Sequence, residues 1–219
     1  MSWARDLLRG DGARADQPRD LLIERLRRDP RISGDAVEAI ARVQREFFVP
    51  EHRRELAYED VALEIGPVAT ISAPSMVAEM LTALNLSAGL SVLEIGGGSG
   101  YAAATIAAYG DRVVSLEVQP ELAQQARQNL ERAGFKDLVR TVTADGRWGW
   151  AESAPYDRIL VSASVDAVPQ AWLDQMAERG ILVYPESGQG EDLLVRLKRA
   201  PTGLTREILG RCRFVRMQL

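Results

Sequence analysis

The stretch "LEIGGGSGYAAA", residues 93 to 104, sets a carboxylate, Glu94, two positions ahead of a run in which Gly96, Gly98 and Gly100 alternate and Gly97 fills a spacer position. A glycine turn between a strand and a helix lets the backbone approach a nucleotide closely, so the question is which nucleotide. A dinucleotide loop runs G-x-G-x-x-G and cradles a pyrophosphate, whereas here Tyr101 takes the place of the third glycine. Glu94 at the strand end would repel a diphosphate, yet it can order an ammonium, directly or through water. Glu117 follows Gly100 by seventeen residues and closes the next strand, where a carboxylate can accept hydrogen bonds from both hydroxyls of a ribose. In "TADGRWG", Asp145 and Gly146 end a third strand beside the place of an adenine. Each signal alone also describes an ordinary turn or a solvated strand end. In order, at the carboxyl ends of three successive strands, they predict a site for S-adenosylmethionine, which carries an ammonium and no phosphate.

The usual bases and nucleophiles are scarce. The chain has one histidine, His52, and one cysteine, Cys212. His52 sits among charges in "PEHRREL" and reads as solvated, with no second histidine to join it in a metal site. Cys212 reads as a strand-packing residue. Trp148 and Trp150 fit a cleft wall and a core edge equally well.

The elements that must position these residues follow from periodicity. "RDLLIERLRR" and "SGDAVEAIARV" space apolar residues three and four apart, predicting two amphipathic helices divided by Asp29-Pro30, the second capped by Ser33 or Asp35 and both with arginines on a solvated face. "ISAPSMVAEMLTALNL" predicts a third helix starting close to Ser72, because Pro74 is tolerated only in a first turn. From there strands and helices alternate: "SVLEIG", "YAAATIAAY", "RVVSLEV", "PELAQQARQNLERAG", "VRTVTA" and "RILVSA". Such a series predicts a doubly wound parallel sheet. "ILVYP", "DLLVRLKRA", "LTREILG" and "RFVRMQL" follow too closely for crossover helices, so the sheet is expected to finish antiparallel.

Composition bounds the setting. At 219 residues the chain suits one domain, expected over residues 18 to 219, with a helical, substrate-side part to about residue 90 and the cofactor-binding sheet and last strands from residue 91. Residues 1 to 17 are expected to be a loosely held extension. A formal charge of −4 gives no electrostatic footprint for nucleic acid or an anionic membrane. No apolar run approaches the roughly eighteen residues needed to span a bilayer, and "MSWARDLLRGDGARADQ" carries charges where a signal peptide needs an apolar core. A soluble, cytoplasmic protein is the expectation.

"ISAPSMVAEML" ahead of "VLEIGGGSGYAAA", with "REFFVPEHRRELAYEDVALEIG" before it, "APYDRILVSAS" after it and "RFVRM" near the end, resembles the protein-L-isoaspartate O-methyltransferases. The resemblance runs from about Arg19 to the C-terminus. It implies the Rossmann-like fold of class I methyltransferases, with a mostly parallel seven-stranded sheet, antiparallel C-terminal strands and helices on both faces. It also implies S-adenosyl-L-methionine as methyl donor, S-adenosyl-L-homocysteine as product, an isoaspartyl peptide or protein as acceptor, and a monomer. Methylation of the isoaspartyl α-carboxylate gives an ester that collapses to a succinimide, and hydrolysis then partly restores aspartate. Such a reaction needs no base, because a carboxylate is already ionised at pH 7 and the sulfonium methyl is already activated. Ser72, in "ATISAPS", matches the serine of the family's T-I-S-x-P motif and is the candidate to orient the carboxylate, with backbone N–H groups at the following helix start; serine is also a frequent N-cap. Thr70, Ile71, Ala73 and Val215 are implied to touch the substrate. The chain departs from the family pattern where Val68 and Ala69 replace Gly-Gln, Ser75 replaces a histidine and Arg216 replaces a proline. These changes motivate an alternative, a dedicated methyltransferase for one peptide precursor or small carboxylic acid. A module that binds the cofactor without turnover and a nicotinamide oxidoreductase are more distant readings.

Overall fold

A computed structural model describes residues 17–218. The extension expected over residues 1 to 17 lies, apart from Gln17, outside the described residues. Two helices open the described chain, α1 (Pro18–Arg28) and α2 (Gly34–Arg42). Leu22, Ile23 and Leu26 on α1 and Val37 and Ile40 on α2 are buried, the three-and-four spacing that their periodicity predicts. Of the two candidate caps, Ser33 does the work, its Oγ accepting the Ala36 N–H at 3.3 Å. A small antiparallel hairpin, β1 (Leu63–Gly66) with β2 (Ala69–Ile71), then leads into α3 (Pro74–Leu84).

The alternating part is β3 (Ser91–Ile95), α4 (Tyr101–Ala107), β4 (Arg112–Glu117), α5 (Pro120–Arg132), β5 (Val139–Thr143) and β6 (Tyr156–Val161), followed by the short α6 (Gln170–Asp174). Three long strands finish it: β7 (Met176–Glu186), β8 (Asp192–Ala200) and β9 (Gly203–Cys212). They make one seven-stranded sheet in the order β5-β4-β3-β6-β7-β8-β9, parallel from β5 to β7 and antiparallel from β7 to β9. Strand order reverses direction at β3, whose neighbours are β4 and β6, and ligands of open α/β sheets bind in the crevice at such a point.

Burial alternates along the central strands. Val92, Leu160 and Val183 face the layer of α2, α3 and α4, while Leu93, Ile95, Ile159, Val161 and Leu182 face Trp172 of α6 and the 3₁₀ turns between β5 and β6. Each such side chain, fully buried, is worth about 1.5–3 kcal/mol. Among the described residues no helix is long and apolar enough to cross a membrane.

Two expectations are corrected. "RFVRMQL" is not a strand: Arg213–Gln218 makes a single bridge, Ser164 to Arg216, with Ser164 N donating to Val215 O at 2.8 Å and Met217 N to Ser164 O at 3.0 Å. Its alternation is real, but its partner is the loop after β6, too short to sustain a ladder, so the segment crosses the carboxyl ends of the strands instead. The strand expected at "ILVYP" starts earlier, at Met176, because the Gln175 carbonyl accepts from Tyr156 N (2.8 Å) and Met176 pairs with Tyr156 before a bulge restores the register at Ile181.

Candidate active site

The glycine turn leaves the end of β3 and is tied to β4. Gly96 N and Gly97 N both donate to Leu116 O at 2.9 Å, Gly98 N donates to Glu117 Oε2 at 2.8 Å, and Gln119 N donates to Glu117 Oε1 at 3.0 Å. Glu117, only 6% exposed, thus holds the loop in place and still presents carboxylate lone pairs to the crevice. Gly97, more than a spacer, is fixed by close approach: a Cβ there would stand 2.3 Å from Ser115 Oγ. Gly97→Ala is therefore expected to displace the turn and weaken S-adenosylhomocysteine binding by at least about tenfold in calorimetry, while a Gly34→Ala control, whose Cβ meets open space, leaves it unchanged. Gly100 has another task. Its left-handed φ of +87° starts α4, and a Cβ there would press on Leu130 of α5 at 3.2 Å.

Glu94 is fully buried on β3. Its Oε2 accepts from Ser115 Oγ at 2.5 Å, and its Oε1 has no hydrogen-bond partner among the described residues. Burial pushes its carboxyl up to about 8, the Ser115 hydrogen bond works against that rise, and the charge of Glu117 adds to it. A buried carboxyl with one orphaned oxygen suits a cation with hydrogens to give.

Two adjoining cavities open here, with empty space of about 590 Å³ and 450 Å³ including their solvent-open mouths, sharing Thr70, Gly96, Gly98 and Ser162 as wall. The larger is floored by Gly146, Ala144 and Glu117 and roofed by Val215, Arg216 and Met217 from the crossing C-terminal segment, with Val68 and Ala69 of the hairpin at its side. The smaller holds Ser72, Ile71, Glu94 and Tyr101. So the structure brings Glu94, Gly96, Gly98, Glu117, Gly146, Thr70, Ile71, Ser72 and Val215 to one crevice.

Three predicted residues lie off that wall. Gly100 packs helices; Ala73 is the N-cap of α3; Asp145 caps the turn that follows it and pairs with Arg147 at 2.6 Å, which holds its carboxyl below its usual range. Ser72 is not the N-cap, since Ala73 occupies that place, so its hydroxyl is not committed to the helix. One helix-start donor is already taken, Ser75 N giving to Asp60 Oδ1 at 2.9 Å. His52 is exposed, Cys212 is buried in β9, and Trp148 and Trp150 line a neighbouring shallow cleft rather than either cavity.

Ser115, Ser162, Gln119 and Arg45 escape the sequence reading. Ser115 has a signal, a lone hydroxyl in the buried end of an apolar strand. Arg45, 1% exposed, has little: one arginine at the edge of "FFVP" looks like any surface charge.

The glycine cradle, the two strand-end carboxylates and the orphaned Oε1 are groups that would suit S-adenosylmethionine, with Glu94 able to accept from an ammonium and Glu117 from ribose hydroxyls. The family model described as protein-L-isoaspartate(D-aspartate) O-methyltransferase matches residues 17–218. The chain belongs to that family. It is thus an S-adenosylmethionine-dependent O-methyltransferase. A protein-L-isoaspartate O-methyltransferase of Methanothrix thermoacetophila is 46% identical over 183 residues, covering 82% of this chain and 86% of that one. One from Syntrophobacter fumaroxidans is 44% identical over 179 residues, covering 82% and 83%. The solved structure of a Plasmodium falciparum protein described as a putative member, in complex with S-adenosyl-L-homocysteine, superposes with a TM-score of 0.81 at 25% identity, covering 91% of this chain and 98% of that one.

Proposed function

We propose that this family member methylates the α-carboxylate of L-isoaspartyl residues in damaged peptides and proteins, with Ser72 orienting that carboxylate. The observation that carries the reading is the crevice itself: a buried Glu94 and a loop-clamping Glu117 flank the glycine turn, and beside Glu94 stands an uncommitted serine hydroxyl in a cavity whose lining, among the described residues, holds no histidine and no other carboxylate. When bound, S-adenosylmethionine supplies a methyl group already activated for displacement by a carboxylate oxygen. The chain's own residues then need only to bind, orient and exclude water, and positioning of this kind can supply several kcal/mol. Thr70 and Ile71 lead into Ser72 from β2, and Val215 closes the crevice from above, so the acceptor is held between the hairpin and the C-terminal segment.

Val68, Ala69 and Arg216, three of the four departures from the family pattern, line the wall of the larger cavity, and Arg216 is paired with Asp166. We read them as setting which flanking residues are accepted, not the reacting group. Ser72→Ala is expected to lower kcat on the order of tenfold to a hundredfold with little change in KM for S-adenosylmethionine, and steady-state kinetics with both substrates varied checks it. The reading itself is tested by incubating an isoaspartyl peptide with enzyme and cofactor and following the products by chromatography. Succinimide followed by partial conversion to the aspartyl form supports it; an unchanged peptide in the presence of bound cofactor contradicts it.

A further inference from the structure

Behind Ser72 lies a charge with no counter-ion among the described residues. Arg45, at the start of the 3₁₀ turn Arg45–Phe48, is 1% exposed. Its Nη2 donates to the Ser72 carbonyl at 2.8 Å, while Nε and Nη1 have no hydrogen-bond partner among the described residues. Its guanidinium carbon stands 4.7 Å from the ring centroid of Tyr101, which is itself pinned edge-on by Phe48 at 5.6 Å. Tyr101 lines the smaller cavity with Ser72 and Glu94, and its buried hydroxyl also lacks a partner. Among the described residues no carboxylate forms an ion pair with Arg45; Asp60, whose charge reaches it, is committed to Arg25 at 3.4 Å and to the Ser75 amide.

Stacking on an aromatic ring recovers only part of what it costs to bury a guanidinium, and unmade donors add to the penalty. Beside an acceptor site, such a group is stabilised further when a negative charge arrives. We infer that Arg45 is a positioning residue whose missing counter-ion is the carboxylate of the methyl acceptor: it fixes the Ser72 peptide and gives the cavity a positive potential, selecting an ionised carboxylate over a neutral isostere. This rests on the proposed reading of the site and deepens it. Arg45 does not touch the acceptor; it acts through Ser72 and across the Tyr101 ring. Arginine suits the task because it stays charged in a desolvated place where a lysine titrates.

The test compares two peptides binding to the protein loaded with S-adenosylhomocysteine, one isoaspartyl and the other identical but with the α-carboxylate replaced by its carboxamide. The wild-type chain is expected to prefer the carboxylate by about tenfold or more. Arg45→Gln, which keeps donors but not charge, loses that preference; Arg45→Lys, whose amine can give up its proton in so desolvated a place, loses part of it and regains it as the pH is lowered towards about 6. Unchanged S-adenosylhomocysteine affinity in both variants shows that the cofactor end is intact, and a collapsed site would weaken both peptides equally. A preference preserved in Arg45→Gln overturns the inference, and so does a loss in Arg45→Lys that does not recover at lower pH. No preference in the wild-type chain overturns the functional reading and takes this inference with it.

Discussion

Replacing Glu94 with Gln is expected to weaken S-adenosylhomocysteine binding by about tenfold to a hundredfold at pH 8 and to abolish its pH dependence. The wild-type carboxyl, pushed up to about 8 by burial, is mostly protonated at pH 7 and must ionise to meet an ammonium. Binding near neutrality therefore releases a proton, and affinity climbs with pH by up to about tenfold per unit between about pH 6 and pH 8, then levels. The Gln variant has no proton to release and follows a flat line. Stability runs the other way. The folded value lies above the ordinary 4.5, so the ligand-free folded state holds the extra proton between those values and stability falls as pH rises through that window. Glu94→Gln removes that decline, so melting temperatures of the two chains converge in acid and the variant becomes the more stable at pH 9. Calorimetry in buffers of different ionisation enthalpy measures the proton release; thermal melts measure the rest. A wild-type affinity independent of pH contradicts the assignment.

Trp172→Ala is expected to cost about 3–5 kcal/mol of folding stability. The side chain is fully buried against Tyr156, Ile159 and Leu182 on the second face of the sheet, and its Nε1 donates to Gly146 O at 2.7 Å. That bond ties α6 to the turn that floors the larger cavity. Gly146 has no room to adjust, since a Cβ there would stand 2.4 Å from Ile95 Cγ2. Trp172→Phe keeps most of the volume and loses the bond, so it costs about 1 kcal/mol and still raises KM for the cofactor. Urea unfolding with steady-state kinetics separates the two variants. If Trp172→Phe changes neither stability nor KM, the tie to Gly146 does not matter.

How much of this was legible in the sequence depends on where each partner lies. β3, β4 and β6 read correctly because burial on both faces leaves continuous apolar runs, and α1 and α2 because one face of each is wet. The hairpin β1–β2 did not, since strands of four and three residues carry too little pattern. "RFVRMQL" alternates like a strand and fails to be one because pairing is a property of two segments, and its partner is a loop. In the site, the places of Glu94 and Glu117 in the crevice were legible from strand ends, Glu94 just ahead of the glycine turn and Glu117 closing the next strand. Asp145 looked equivalent by the same rule, but Arg147 two residues on draws its carboxylate into an ion pair. Arg45 is the opposite case, a charge whose burial depends on Tyr101, 56 residues away in sequence, and on the Ser72 carbonyl ahead of α3. Tertiary contacts of that kind leave no periodic trace.

Transfer of labelled methyl from S-adenosylmethionine to a short isoaspartyl peptide, against its aspartyl twin, tests the central claim most directly. Label is expected on the isoaspartyl peptide alone, released as methanol by mild base, with the same outcome across peptides of unrelated flanking sequence. Label on neither peptide, with cofactor binding demonstrated, would contradict it and make Val68, Ala69, Ser75 and Arg216 the marks of a different carboxylate acceptor.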